Sequence, residues 1–213
     1  IRKDSDIMGI HKPTAPAVNL SHYPNDTLDT DNCYPSNSMQ PTFVGDGTFS
    51  GDTFSTGQIY ASGFIARADF TCDGIACENW STGDSGDDFV MGIWQSDATG
   101  QPTTKIGQTA EVALDGNATV RVADTTADVS ITKGLYWVGL SLNANAQFIK
   151  DSPGTNHKAF QTNYGNVIWA GGNFAVNNYG LCWKKAFTYN TTLPDISSPT
   201  WNSFGPAMAL RVK

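Results

Sequence analysis

Hydrophobic and polar positions alternate along this chain in short bursts. IYASGFIARADF (59–70) sets Phe64, Ala66, Ala68 and Phe70 on one face of an extended segment. FVMGIWQ (89–95) is a nearly continuous apolar run that stops at SDATGQP, a cluster of turn residues. TKIGQTAEVAL (104–114), a tight Asp-Gly-Asn turn, ATVRVA (118–123) and the alternating ADVSIT (127–132) follow. LYWVGLSL (135–142) is apolar on both faces, as a central strand must be. VIWA (167–170), LCWKKAFTY (181–189) and AMALRV (207–212) complete the set. In the last, Met208, Leu210 and Val212 face one way, Ala209 and Arg211 the other, and Pro206 stands at the entry, where a strand tolerates proline. Roughly eight or nine short strands at regular spacing predict an all-β fold, a β-sandwich of jelly-roll type.

Residues 1–42 break this pattern. They hold five of the ten prolines (Pro13, Pro16, Pro24, Pro35, Pro41) and show no alternation. They read as an extended Pro-rich arm or strap, with the sandwich spanning 43–213. Ala17, Val18 and Leu20 make the arm too apolar for a free linker, so it is expected to lie against this domain, a neighbouring subunit or a partner. Residues 1–20 show no apolar leader core; a leader already removed would leave the same sequence, and a virion protein needs none.

Composition narrows the function classes. Charged residues make up 15% of the 213, against about a quarter in ordinary domains, and the net charge is −7. Lys and Arg form no cluster, so the electrostatic footprint of nucleic-acid binding is missing. No apolar run approaches the length of about 18 residues that a spanning helix needs. No phosphate-binding glycine motif is present, and the reading calls for no cofactor.

Several motifs carry possible chemistry beside a plainer structural reading. GDSG (83–86) resembles the segment around a protease nucleophile, but that mechanism needs a histidine base. The histidines are His11, His22 and His157, two of them in the arm, and Asp87 follows where that family has glycine. A polar loop is the expectation. Asp84, Asp87 and Asp88, with Asp73 and Glu78 nearby, are weak candidates for a calcium site, although their spacing fits no EF-hand pattern and a solvated acidic turn is favoured. The two glutamates, Glu78 and Glu111, and the aspartates show no spacing that selects a glycosidase pair, so no catalytic residue is assigned. NYGNVIWAGGNFAVNNYG (163–180) is rich in aromatic and amide side chains. Tyr164, Trp169, Asn173 and Tyr179 there, with Trp80 in ENWST, are the candidate ligand-binding residues; core and turn roles are the plainer reading. The four cysteines (Cys33, Cys72, Cys77, Cys182) match no zinc pattern. Asp73-Gly74 between Cys72 and Cys77 suits a turn, so a local disulfide there is weighed evenly against buried free thiols, ahead of Cys33–Cys182. The Asn-x-Ser/Thr sequons include Asn25, Asn79, Asn117 and Asn190.

From Ile59 onward the order of elements resembles bacteriophage tail-fibre and virion-appendage domains. Ile93, Trp94, Gly100, Pro102 and Ile106 loosely match their "I-Y-x…G-x-P-x-x-x-I/L". Gly134-Leu135-Tyr136-Trp137-Val138-Gly139 matches "G-x-Y-W-[VL]-[AG]". Pro206, Met208, Leu210, Arg211 and Val212 match the closing "P-x-I-x-L-R-[VI]". The resemblance implies a non-enzymatic receptor-binding head on a homotrimeric fibre at the virion surface. It would attach to a host-surface glycan or protein, and residues 1–42 would join other virion proteins. Two alternatives are a capsid decoration or head-fibre protein and a secreted carbohydrate-binding module. Oligomeric state separates the two virion readings from the secreted module, which predicts a monomer.

Overall fold

The computed structural model describes residues 39–41, 50–66, 68–81, 83–98, 100–115, 119–151, 182–202 and 204–213. The described residues are all β and form two antiparallel sheets packed face to face, a β-sandwich. Sheet I contains β1 (Met39–Pro41), β2 (Ser50–Phe54), β4 (Phe70–Asn79), β8 (Thr119–Ile131), β10 (Ala146–Asp151), β13 (Gly205–Pro206) and β14 (Met208–Val212). Sheet II contains β3 (Gln58–Ala66), β5 (Asp88–Ser96), β6 (Pro102–Gln108), β7 (Val112–Ala113), β9 (Gly134–Leu142), β11 (Cys182–Ala186) and β12 (Thr200–Trp201). The order in sheet I is β1-β14-β4-β10-β13, with β8 on β4 and β2 on β10. In sheet II it is β12-β11-β3-β9-β5-β6, with β7 on β5.

Residues of both inner faces interdigitate in one core. Phe54, Cys72, Ile75, Cys77, Phe148, Met208 and Leu210 come from sheet I; Tyr60, Phe64, Phe89, Met91, Ile93, Val138 and Leu140 come from sheet II. Edge-to-face rings tie the layers together: Phe54 to Tyr60 at 4.9 Å and Phe148 to Phe89 at 5.3 Å between centroids.

Sheet II is buried on its other face as well. Ile59, Ala61, Val90, Trp94, Leu135, Trp137 and Trp183 there pack under Leu193 and Ile196 of the segment after β11. That segment has no regular structure and is pinned by polar contacts. Trp94 Nε1 donates to the Pro194 carbonyl (2.9 Å), Lys105 N–H to Asp195 Oδ1 (2.8 Å) and Ile196 N–H to the Thr103 carbonyl (2.8 Å). Two-sided burial is why β5 and β9 read as unbroken apolar runs. It also requires a glycine, Gly92, whose cross-strand partner Gly139 is instead crowded within the sheet by β3. A Cβ on Gly92 would stand 2.6 Å from Leu193 Cδ1, and one on Gly139 would stand 2.0 Å from the Tyr60 carbonyl oxygen.

The structure revises several expectations. The predicted strand 59–70 is two strands in opposite sheets, β3 ending at Ala66 and β4 starting at Phe70. The alternation runs through the crossing because both strands face the same core, and the Phe64 and Phe70 rings meet at 6.1 Å. Residues 118–123 and 127–132 belong to a single strand, β8. Its residues 125–128 arch away from β4 between the Asp124 and Val129 pairings, and Thr125 bridges to Thr109. Asp73-Gly74, a candidate turn between Cys72 and Cys77, lies within β4. The strands β2 and β10 carried too few large apolar residues to be recognised. Met39–Pro41, at the end of the sequence-defined arm, pairs with β14 as the edge strand of sheet I. The expected VIWA strand lies outside the described residues.

Gly139→Ala tests the central crowding. The added methyl meets backbone, so the variant is expected to lose about 3 kcal/mol, at the upper end of overpacking costs. Gly86→Ala, at a φ of 92° with open space around it, is expected to lose only about 1 kcal/mol. Urea unfolding of both variants checks the contrast.

Candidate functional site on the open face of sheet I

Register decides which side chains of sheet I face away from the core. Cys77 and Ile75 point inward and pair with Arg121 and Ala123, so Glu78, Ala76 and Gly74 point outward beside Val120, Val122 and Asp124. On the other flank, Ala209 and Arg211 of β14 pair with Ala76 and Gly74. Trp80 follows β4 in the same phase as Glu78, and its N–H donates to the Gln147 carbonyl at 2.7 Å. Trp80 (51% exposed), Val120 (57%) and Val122 (50%) are the exposed large hydrophobics among the described residues, and all three lie on this one face. No described apolar cluster covers it, in contrast to sheet II.

Trp80 is seated by what lies on either side of it. Its five-membered ring rests on Gly51 of β2, where a Cβ would meet Cδ1 at 2.1 Å, Cγ at 2.2 Å and Nε1 at 2.7 Å. The preceding residue, Asn79, is 1% exposed and ties the corner together. Its amide nitrogen donates to the Ser81 carbonyl (2.8 Å), and its oxygen accepts from Thr119 N–H and Arg121 Nε, both at 3.2 Å. The sequon at Asn79 therefore places its amide inside the fold. Thr53 and Gln147, an exposed cross-strand pair, share the outer face with Gly51. At the opposite end, Arg211 lies over Gly74 and holds Asp73 Oδ1 and Asp124 Oδ1, each at 2.7 Å.

The acidic loop does not gather into a metal cage. Asp84 N–H donates to Asp87 Oδ2 (2.9 Å) and Asp87 N–H returns to the Asp84 carbonyl (3.1 Å), so the Asp87 carboxylate closes its own turn. Asp88 belongs to β5, and its N–H donates to Asn143 Oδ1 at 2.8 Å. Partial burial, then Glu111, Asp115 and Asp87, raise its pKa above the usual carboxylate value. Among the described residues no three His, Cys, Asp or Glu side chains converge as a metal site. Ser85 of the GDSG motif is exposed, and the three histidines lie outside the described residues. Tyr164, Trp169, Asn173 and Tyr179 also lie outside them. Gly51, Val120 and Val122 are the members of the face that sequence reasoning missed. The V-R-V alternation showed a strand there, but not which valine face met solvent.

The expected Cys72–Cys77 disulfide is absent: both are free, buried thiols on β4. The residues between them continue the strand instead of turning. Five residues of strand separate Cα atoms by roughly 16 Å, against the roughly 5.5–6 Å of a disulfide. A bulge at Asp73 adds one residue to the step, which returns Cys72 to the core side with Ile75 and Cys77. Burial pushes the Cys72 thiol up to about 11 and the Cys77 thiol well above its ordinary value. Cys182 is likewise buried and free, 3.8 Å from Ser62 Oγ, while Cys33 lies outside the described residues. Native protein at pH 8 is therefore expected to leave Cys72, Cys77 and Cys182 unalkylated by iodoacetamide. The same reagent should modify all three in denaturant without prior reduction, which peptide mass spectrometry reads directly.

No family model matches the sequence, and no curated protein matches it. Among solved structures, the fold is similar to the cysteine protease and lectin-like domains of Cwp84, a surface layer associated protein of Clostridium difficile. The identity is 12% and the TM-score 0.38, over 76% of this chain and 36% of that one. The chain thus spans about a third of the length of that structure, and a likeness this slight carries no family or activity across.

Proposed function

We propose that this chain is a non-enzymatic attachment domain of a virion fibre or appendage, and that it meets a host-surface glycan or protein through the outer face of sheet I. The observation that carries the reading is Trp80, a half-exposed indole resting on Gly51 in the one face of the sandwich that no described apolar cluster covers. Tryptophan held this way offers a large contact area at little entropic cost on binding.

The resemblance to phage appendages supplies the virion part of the proposal. The residues that carry it serve the fold: Tyr136, Trp137 and Val138 are buried in β9, Met208, Leu210 and Val212 face the core, and Arg211 bridges β4 and β8. They support a sandwich of that type, and the binding role rests on Trp80. Homotrimeric assembly and attachment to other virion proteins through residues 1–42 belong to the same proposal. The arm joins the sandwich at β1, on the edge of sheet I.

The secreted carbohydrate-binding module is the second reading, favoured by the same tryptophan. Light scattering separates the two: a mass near three times 22.9 kDa is expected for the fibre, and a monomer would overturn the virion placement. Binding of labelled protein to a panel of bacterial strains tests the face itself. Trp80→Ala is expected to weaken binding by about tenfold or more, as for an aromatic hot spot, with an unchanged melting temperature. Undiminished binding by the variant would overturn the assignment.

A further inference from the structure

Resting on that reading, we infer that the ligand of the sheet I face is a neutral saccharide stacked on Trp80, and that Gly51 is the positioning residue that seats the indole. The first ground is shape. The five-membered ring covers the bare backbone of Gly51, where any side chain would displace it, and half of the indole surface stays in solvent. Such a ring suits the C–H face of a pyranose, which is apolar and similar in size.

The second ground is the polar setting. Thr53 and Gln147 lie across from each other on the same outer face, and Glu78 precedes Trp80 by two residues. A hydroxyl and a primary amide both donate and accept, as sugar hydroxyls do, and a carboxylate accepts two hydroxyl protons.

The third ground is charge, which selects among saccharides. The face carries Glu78, Asp73 and Asp124, and its Arg211 is already engaged by both aspartates. Lys213 is paired with Asp128. Lys150 of β10 turns to the other side of the sheet, where it binds Asp52 at 2.8 Å and lies 5.5 Å from the Phe204 ring centroid. Arg121 of β8 pairs with Cys77 in the inward phase and donates to Asn79 Oδ1 (3.2 Å) and the Asp115 carbonyl (2.7 Å), so each of these described cations is engaged, and the chain as a whole is acidic, with a net charge of −7. A uronate, sialate or sulfate would meet repulsion and, among the described residues, no uncommitted cation. A neutral ring meets neither difficulty.

The test is an NMR titration of the full chain, following the Trp80 indole N–H, which is assigned by its loss in Trp80→Phe. The probes are neutral hexaoses of glucose, mannose and galactose, set against hexagalacturonate and a sulfated galactan oligomer. At least one neutral hexaose is expected to shift the resonance, with every acidic oligomer about tenfold weaker or more. Gly51→Ala is expected to weaken the neutral ligand about fivefold or more and to move the indole resonance of the free protein, at an unchanged melting temperature. A purely structural role for Gly51 would change the melting temperature and leave the affinity alone. Acidic oligomers binding as well as neutral ones would overturn the charge argument. If no neutral hexaose shifts the resonance while Trp80→Ala still abolishes cell binding, the saccharide inference falls and a protein receptor takes its place on the same face. If Trp80→Ala leaves cell binding intact, the attachment face falls with it.

Discussion

The burial of sheet II on both faces is the constraint on which the rest of the structure depends. Its middle strands β3, β9 and β5 have sheet I on one side and the Leu193–Ile196 segment on the other. Layers can approach that closely only where side chains are missing, and Gly92, beneath Leu193, supplies the gap. The covering segment needs no strand of its own. Its backbone is held by Trp94, Thr103 and Lys105 on one stretch and by Gln108, which accepts from Leu193 N–H at 3.0 Å, on another. Tyr189 adds a bond to Glu111 at 2.6 Å, and burial followed by that carboxylate pushes its hydroxyl above the ordinary tyrosine value. The described residues therefore form three layers: sheet I, sheet II and the covering segment. That asymmetry leaves sheet I with the one outer face that no described apolar cluster covers.

The bulge at Asp73 sets up that face. Without the extra residue, Cys72 and Ile75 would point to opposite sides of β4, and a thiol would sit in solvent while the core lost a member. With it, β4 keeps its inner row from Cys72 to Asn79. The facing strand answers by arching over residues 125–128 and bridging from Thr125 to Thr109, just beyond β6, which draws the edges of the two sheets together. Arg211 closes the irregularity from above by gripping Asp73 and Asp124 across Gly74. The Arg211 end of the face is thus a consequence of correcting the core phase, and Trp80 stands at the opposite end of the same strand, beyond Glu78.

Much of the conspicuous chemistry in this chain serves structure. Asp87 closes a turn, and Asp88 and Asn143 splice β5 to the corner after β9. Asn79 satisfies three polar groups at the corner that feeds Trp80, so the residue before the candidate contact is as fixed as the core. A buried amide with both ends bonded makes a rigid base for an exposed ring, and rigidity at the contact limits the entropy lost on binding.

The sequence alone determined the fold class, because a side-chain period of two and the absence of a helical period are local properties of the chain. It determined that β9 is central, since only a strand covered on both sides reads Leu-Tyr-Trp-Val-Gly-Leu without a polar break. It also named Trp80 among five candidate contact residues, and the structure leaves that residue half exposed. Tertiary structure decided what alternation leaves open. Period two says that Val120 and Val122 share a face but not whether that face meets core or solvent; pairing with Glu78 and Ala76 settles it. It decided that Cys72 and Cys77 stay apart, because Asp73-Gly74 can make either a turn or a bulge, and the partners β8 and β14 on either side favour the bulge. It decided that 59–70 crosses between sheets, since residues facing a common core keep their phase whichever layer holds them. Gly51 shows the limit most plainly: a glycine near the start of a weakly patterned strand gains meaning only when Trp80, distant in sequence, is laid across it.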